Sequence, residues 1–263
     1  MGRFGAVRDA LPQVTRKAGF VLVGEWVAGS PVRQAAAADA AVAAWGDGAW
    51  PEGLASRTAF VSTDGTSVLH WSQGAHASVF AASARRAGEW LGRVDDVVPG
   101  LARGRATGVV PYRRVEPDAP SDAASGGADG GADPVGCLAI AEFEVAARPG
   151  DGRAEALVDA VVAASGTDMP PGLVSANFFV SADGTRIVDY AEWVDGASHE
   201  AFSRAASVTL VAEVVEGAPE VRFLGVRRYD WWRTALPPAG PGDGVRDGAT
   251  YGPAMSSGAG RRR

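Results

Sequence analysis

One cysteine, three histidines and three methionines among 263 residues leave little room for thiolate or imidazole chemistry. Cys137 is alone, so no disulfide can close within the chain and no thiolate cluster can assemble. His70, His76 and His199 form neither an HxxxH nor an HExxH spacing, and no metal is expected. Phosphate-binding loops are missing as well: GGADGG at Gly126–Gly131 follows no predicted strand, and no Gly-x-Ser-x-Gly elbow occurs. No window approaches the roughly 20 apolar residues of a membrane span. Basic charge is not concentrated: the net charge is -6, and the one basic run is Arg261, Arg262 and Arg263. Neither nucleic acid nor membrane is therefore an expected partner. The opening MGRFGAVRDALPQVTRKAG lacks the apolar segment of a signal peptide, so a soluble cytoplasmic protein is expected.

What the chain does contain is a phrase written twice. PEGLASRTAFVSTDGT, from Pro51, lies over PPGLVSANFFVSADGT, from Pro170, without a gap, and ten of the sixteen columns are identical. That is an internal repeat. It extends outward: GFVLVGEWVA at Gly19–Ala28 matches GCLAIAEFEVA at Gly136–Ala146 as an opening strand. Val32–Ala44 and Gly152–Ala164 read as helices, rich in Ala and Val. A second helix follows each hairpin, and a last strand carries Tyr112-Arg113-Arg114-Val115 in one copy and Val226-Arg227-Arg228-Tyr229 in the other. Asp64-Gly65 and Asp183-Gly184 mark the hairpin turns.

Each copy thus reads β-α-β-β-α-β, the ferredoxin-like pattern. The expected fold class is α+β: two tandem ferredoxin-like repeats, at 15–115 and 135–235, whose open sheet faces pack together as an intramolecular dimeric α+β barrel. Residues 116–134 read as a flexible linker and 236–263 as a disordered tail, from their Gly, Ala, Ser, Asp and Pro content.

The third strand of the second copy carries the chemistry. With a period of two, Asp189 and Trp193 share a face with Ile187 and Ala191, and Tyr190 and Glu192 take the other. A carboxyl beside a large aromatic in an apolar pocket has its pKa raised, which suits a general base. Trp193 would stack on a flat ring. The plainer readings are a solvent-facing strand-end carboxylate for Asp189, core packing for Trp193 and a solvated helix residue for His199. Asn177 is a candidate pocket hydrogen-bonder, and Arg227 and Arg228 are candidates for a substrate oxygen. Trp231 and Trp232 are expected to plug the barrel seam. In the first copy His70 aligns with Asp189 and Trp71 with Tyr190, which makes both candidates for binding substrate, and His70 a candidate acid or base near neutral pH. The equivalents of Trp193, Val194 and Asp195 look deleted before Gly74, so that strand is expected to end early and that copy to act mainly as scaffold.

Pro171-Gly172-Leu173, Asp183-Gly184-Thr185, Tyr190-Ala191-Glu192-Trp193 and Phe202 together resemble the antibiotic biosynthesis monooxygenase family. The resemblance implies the dimeric α+β barrel and a cofactor-independent oxidation, by O2, of an anthrone- or phenol-like polyketide to a quinone. It places substrate chemistry at Asp189, where the family carries Asn, at Trp193, and at His199, where some members carry Tyr. Other barrel members cyclise polyketides, degrade haem, or do neither. A cyclase or aromatase, and a non-catalytic ligand-binding partner of a biosynthetic complex, therefore stand beside the oxygenase. A further homodimer is also possible. On this reading Trp193→Ala should lower turnover far more than stability.

Overall fold

The computed structural model describes residues 7–8, 18–46, 50–84, 87–117, 135–165, 169–205 and 212–238. Residues 118–134 of the expected linker and 239–263 of the expected tail lie outside these. In chain order the elements are β1 Val7–Arg8, β2 Phe20–Val27, α1 Pro31–Gly46, β3 Leu54–Ser62, β4 Ser67–Gly74, α2 Ser78–Ala84, α3 Ala87–Val97, β5 Ala102–Arg103 and β6 Thr107–Val115. Then come β7 Cys137–Val145, α4 Arg153–Ser165, β8 Leu173–Ser181, β9 Arg186–Trp193, α5 Gly196–Ser203 and β10 Val221–Ala235. None of the described helices is long and apolar enough to cross a membrane.

The strands correct the expected fold class. They do not form two ferredoxin-like units with two sheets face to face. They form one closed, eight-stranded antiparallel barrel in the order β10-β3-β4-β2-β6-β8-β9-β7, with β7 pairing β10 to close it. The fold remains mixed α/β. The physical reason lies in β6 and β10. β6 pairs β2 through Thr107–Val109 and β8 through Val109–Val115. β10, fifteen residues long, pairs β7 through Val221–Tyr229 and β3 through Tyr229–Ala235. Each of these strands runs on from its own half into the other, so neither half keeps an open sheet of its own. Closure leaves few free edges.

Inside the barrel sits one apolar core drawn from both halves: Val21, Val23, Phe60, Leu69, Trp71, Leu138, Ile140, Phe179, Val188 and Tyr190 among others. Trp71 packs on Phe179, with ring centroids 5.1 Å apart, and on Tyr190 at 4.8 Å. The helices cover the outside. Over the first half, α1 and α3 bury Trp26, Ala37, Ala38, Ala41, Trp45, Val94 and Val98 in one cluster. Over the second half the outer core is split. Val145, Ala154, Leu157, Val158, Phe178, Val180 and Ile187 form one cluster; Cys137, Ala139, Ala191 and Trp193 form another.

The repeated hairpins have one local cause. Asp64 Oδ1 accepts from Ser62 Oγ (2.6 Å), Thr66 N (3.0 Å) and Thr66 Oγ1 (2.7 Å), and Asp183 Oδ1 accepts from Ser181 Oγ (2.6 Å), Thr185 N (3.1 Å) and Thr185 Oγ1 (2.8 Å). Gly65 and Gly184 follow at φ 76 and 70, the left-handed region that glycine reaches without a Cβ clash. These bonds hold the Asp183 carboxyl down at about 2.

Candidate active site

A cavity of about 340 Å³ lies between the two outer clusters of the second half, outside the barrel and beneath α4 and α5. Asp189, Ala191 and Trp193 of β9 and Ala139, Ala141 and Phe143 of β7 line it from the sheet; Val161 and Val162 of α4 and His199 and Phe202 of α5 line it from above. Their registers explain the floor. Cys137 pairs Trp193, Ala139 pairs Ala191, Ala141 pairs Asp189, and Phe143 pairs Ile187. Opposite residues share a face, so the floor is a run of alanines with one carboxylate and an aromatic towards each end.

Three of the sequence candidates meet here. Asp189, Trp193 and His199 all line the cavity. Asp189 Oδ1, Trp193 Nε1 and His199 Nδ1 are each buried without a hydrogen-bond partner. Desolvation raises the Asp189 carboxyl to about 7, the range of a base at neutral pH. Desolvation, and then the Arg228 guanidinium, lower the pKa of His199 and favour its neutral ring. The His199 ring stands edge-on to Trp193 at 5.3 Å, and Phe202 backs the same indole at 5.2 Å. Asp195 caps the start of α5, accepting from Ser198 N at 2.7 Å, and so fixes the turn that carries His199. Buried polar groups are normally satisfied within the protein. Three that are not lie on the walls of one apolar cavity, which makes it the candidate site.

Burial revises the expectation for Trp193. At 2% exposure it is packed as tightly as a core residue. Trp193→Ala should therefore cost about 3–5 kcal/mol of stability in thermal or urea denaturation, as well as turnover. Trp193→Phe keeps a ring between His199 and Phe202, and is the substitution that isolates the lost Nε1–H.

The first half shows why the cavity is on one side only of the sequence repeat. α1 and α4 superpose in burial: Gln34, Ala37 and Ala38 correspond to Ala154, Leu157 and Val158. On that alignment Trp45 stands where Ser165 lines the cavity; the hairpin alignment from Pro51 and Pro170 sets Trp50 at Met169, and the opening-strand alignment from Gly19 and Gly136 sets Trp26 at Phe143. Trp26 and Trp45 are buried there, with Trp50 packed against them. His70 takes the place of Asp189, with its ring 3.8 Å from Trp26 and 5.8 Å from Trp45, and both its nitrogens are buried without a partner. Burial, then Arg103 and Arg57, drive its pKa to about 3. The early strand end is corrected. β4 and β9 both have eight residues, and Gly74 pairs Phe20 and Leu54 as Trp193 pairs Cys137 and Leu173. Nothing is deleted: Gly74 replaces Trp193, and Phe80 fills the space, 3.0 Å from where a Cβ on Gly74 would lie.

The remaining candidates lie elsewhere. Asn177 shares the inward face with Phe179; it donates to Ser175 Oγ (2.9 Å) and Tyr190 O (3.2 Å) and accepts from Arg114 (3.1 Å). Glu192 joins that inward cluster by accepting from Ser175 Oγ at 2.7 Å. Trp71 is in the barrel interior and His70 beneath α1, so neither reaches the cavity. Arg227 is committed to the Glu25 carboxylate, which also accepts from Tyr229 Oη at 2.8 Å. Arg228 donates to Gly196 O at 3.2 Å and so braces α5. Trp231 packs on the inner core, whereas Trp232 turns outward and donates to Asp39 at 2.9 Å. Among the described residues no group of three or more His, Cys, Asp or Glu is arranged to hold a metal ion.

No protein-family model matches the chain, and no curated protein does. Solved structures do. The chain superposes on an anthrone oxidase-like protein with a TM-score of 0.56 at 18% identity, covering 82% of this chain and 92% of that one. A monooxygenase-like protein from Listeria innocua gives 0.45 at 8% identity (81% and 94% covered). A heme-degrading enzyme from Listeria monocytogenes gives 0.42 at 6% (81% and 99%). At these identities the likeness is one of fold alone, and the first of the three carries it: the chain shares the fold of that anthrone oxidase-like protein.

Phe143, Met169 and Ser165, three cavity residues, were not singled out by motif. Their signal was nonetheless in the repeat: each is the smaller member of a pair whose other member is tryptophan.

Proposed function

We propose that the chain is a cofactor-independent monooxygenase that oxidises a flat, anthrone- or phenol-like aromatic, of the kind aromatic polyketide pathways make, to a quinone. The observation that carries this reading is the convergence of three unpartnered polar atoms, on Asp189, Trp193 and His199, in one apolar cavity. Asp189 as carboxylate removes a proton from an activated CH2 or phenol. A pKa of about 7 places the base where both its ionised fraction and its basicity are useful. Trp193 Nε1–H, and the Nδ1 of His199 in the tautomer that carries its proton there, are donors able to stabilise the oxyanion that forms on the ring carbonyl. The delocalised carbanion passes an electron to O2. Recombination gives a substrate hydroperoxide, which loses water: the CH2 becomes C=O, one oxygen atom enters the product and the other leaves in H2O. The apolar walls exclude bulk water, which would otherwise quench the carbanion.

The test is oxygen uptake by the purified protein with anthrone, without added flavin or metal. One O2 consumed per anthraquinone formed is the expected result. No uptake would end the reading, and a ring-closed product of unchanged oxidation state from a linear polyketide analogue would replace it with cyclisation.

A further inference from the structure

We infer that Phe223, turned onto the cavity by a glycine bulge in β10, sets the length of the ring system that the cavity accepts. This rests on the cavity being the substrate site. The β10–β7 ladder shifts register between Phe223 and Gly225: Phe223 pairs Phe143, and Val226 pairs Ala141. Both pairs line the cavity. On an unbroken strand, residues three apart face opposite ways. The extra residue, Leu224, lets Phe223 and Val226 share one face, which is how bulges re-aim side chains beside sites. Gly225 holds the bulge at φ 135. A Cβ built there meets no heavy atom within 4 Å, so the backbone angle, not crowding, demands glycine.

The consequence is a cavity with two aromatic ends. Trp193 lies four residues from Asp189, about 13 Å along the strand at about 3.3 Å per residue. Phe143 lies opposite Ile187, about 7 Å to the other side of Asp189 by the same rise. Phe223 meets Phe143 there with ring centroids 5.2 Å apart, and is 50% exposed. It is therefore the lip, closing the end away from Trp193. A two-ring ligand held by Asp189 and Trp193 does not need it. A three-ring ligand reaches it.

The test is binding of anthrone and of 1-naphthol, measured by calorimetry under argon so that no turnover is required, for the wild type, Phe223→Ala and Gly225→Ala. Phe223 is half-exposed, so its removal leaves the fold intact. The expected result is that Phe223→Ala weakens anthrone about tenfold, the loss of one aromatic contact, and leaves 1-naphthol nearly unchanged. Gly225→Ala should shift the preference the same way. Equal losses for both probes, no loss for either, or a wild type that binds neither would overturn the proposal. A wild type with the expected preference but no oxygen uptake in air would sink the oxygenase reading and uphold this one.

Discussion

Asp189→Asn is expected to lower kcat/KM for anthrone oxidation by about 10²–10⁴-fold, the usual contribution of a positioned base. The substitution keeps the shape of the side chain and removes its proton affinity. The wild-type rate should rise with pH through about 7 and level off above it, because the carboxylate is the active form; the residual rate of the variant should lack that inflection. Stability moves the opposite way. Desolvation raises the folded carboxyl from 3.8 to about 7. Between those values the folded protein holds a proton that the unfolded chain has released, so wild-type stability falls as pH rises through this window and is flat above it. The loss is at most about 4 kcal/mol, at 1.36 kcal/mol per pKa unit, and smaller where water in the cavity screens the charge. Asn does not titrate, so the variant should gain on the wild type from pH 4 to pH 7 in urea denaturation. Retained activity in Asp189→Asn would show that the base lies elsewhere, since an amide stands at this position in the family that the strand resembles.

How much of this could be read from residues alone depended on which interaction decided each feature. The hairpins were legible because Asp183, Gly184 and Thr185 close their own turn through bonds two residues long. That Asp189 and Trp193 face the same way was legible because a strand has period two. Which way they face was not. β9 buries both faces, with Tyr190 inward and Ala191 outward, so no alternation of apolar and polar residues separates the two sides. Asn177 was misplaced for the same reason. Gly74 was mistaken for a deletion because Trp71-Ser72-Gln73-Gly74 shares no residue with Tyr190-Ala191-Glu192-Trp193; only the ladder to Phe20 and Leu54 fixes the register. That the two halves share one closed sheet, rather than pack as two sheets, is not legible because its decisive pairings, β6 with β8 and β10 with β3, join residues more than sixty and more than a hundred apart. The local sequence of β10 reads only as a long strand.

Ser165→Trp with Met169→Trp is expected to abolish ligand binding and turnover while leaving the fold standing. The first half of the barrel already contains this arrangement: Trp45 and Trp50 occupy the corresponding places and pack with Trp26 into a continuous outer core. Ser165 ends α4 and is exposed, and Met169 is half-buried at the cavity wall, so neither tryptophan has to displace a tightly packed neighbour. Two indoles introduced into a cavity of about 340 Å³ leave no room for a fused-ring ligand. They also bury apolar surface that the wild type leaves facing the cavity, at roughly 25 cal/mol per Å². Thermal stability should thus hold or rise while anthrone binding and oxygen uptake disappear, a combination that separates a filled site from a broken fold. If the double variant kept wild-type turnover, the cavity beneath α4 and α5 would not be the reaction site. The same substitutions also probe the asymmetry of the two halves. Two scaffold positions hold tryptophan where the outer core is solid, and serine and methionine where a carboxylate needs space above it, so the side chains at those positions decide whether the sheet beneath becomes core or site.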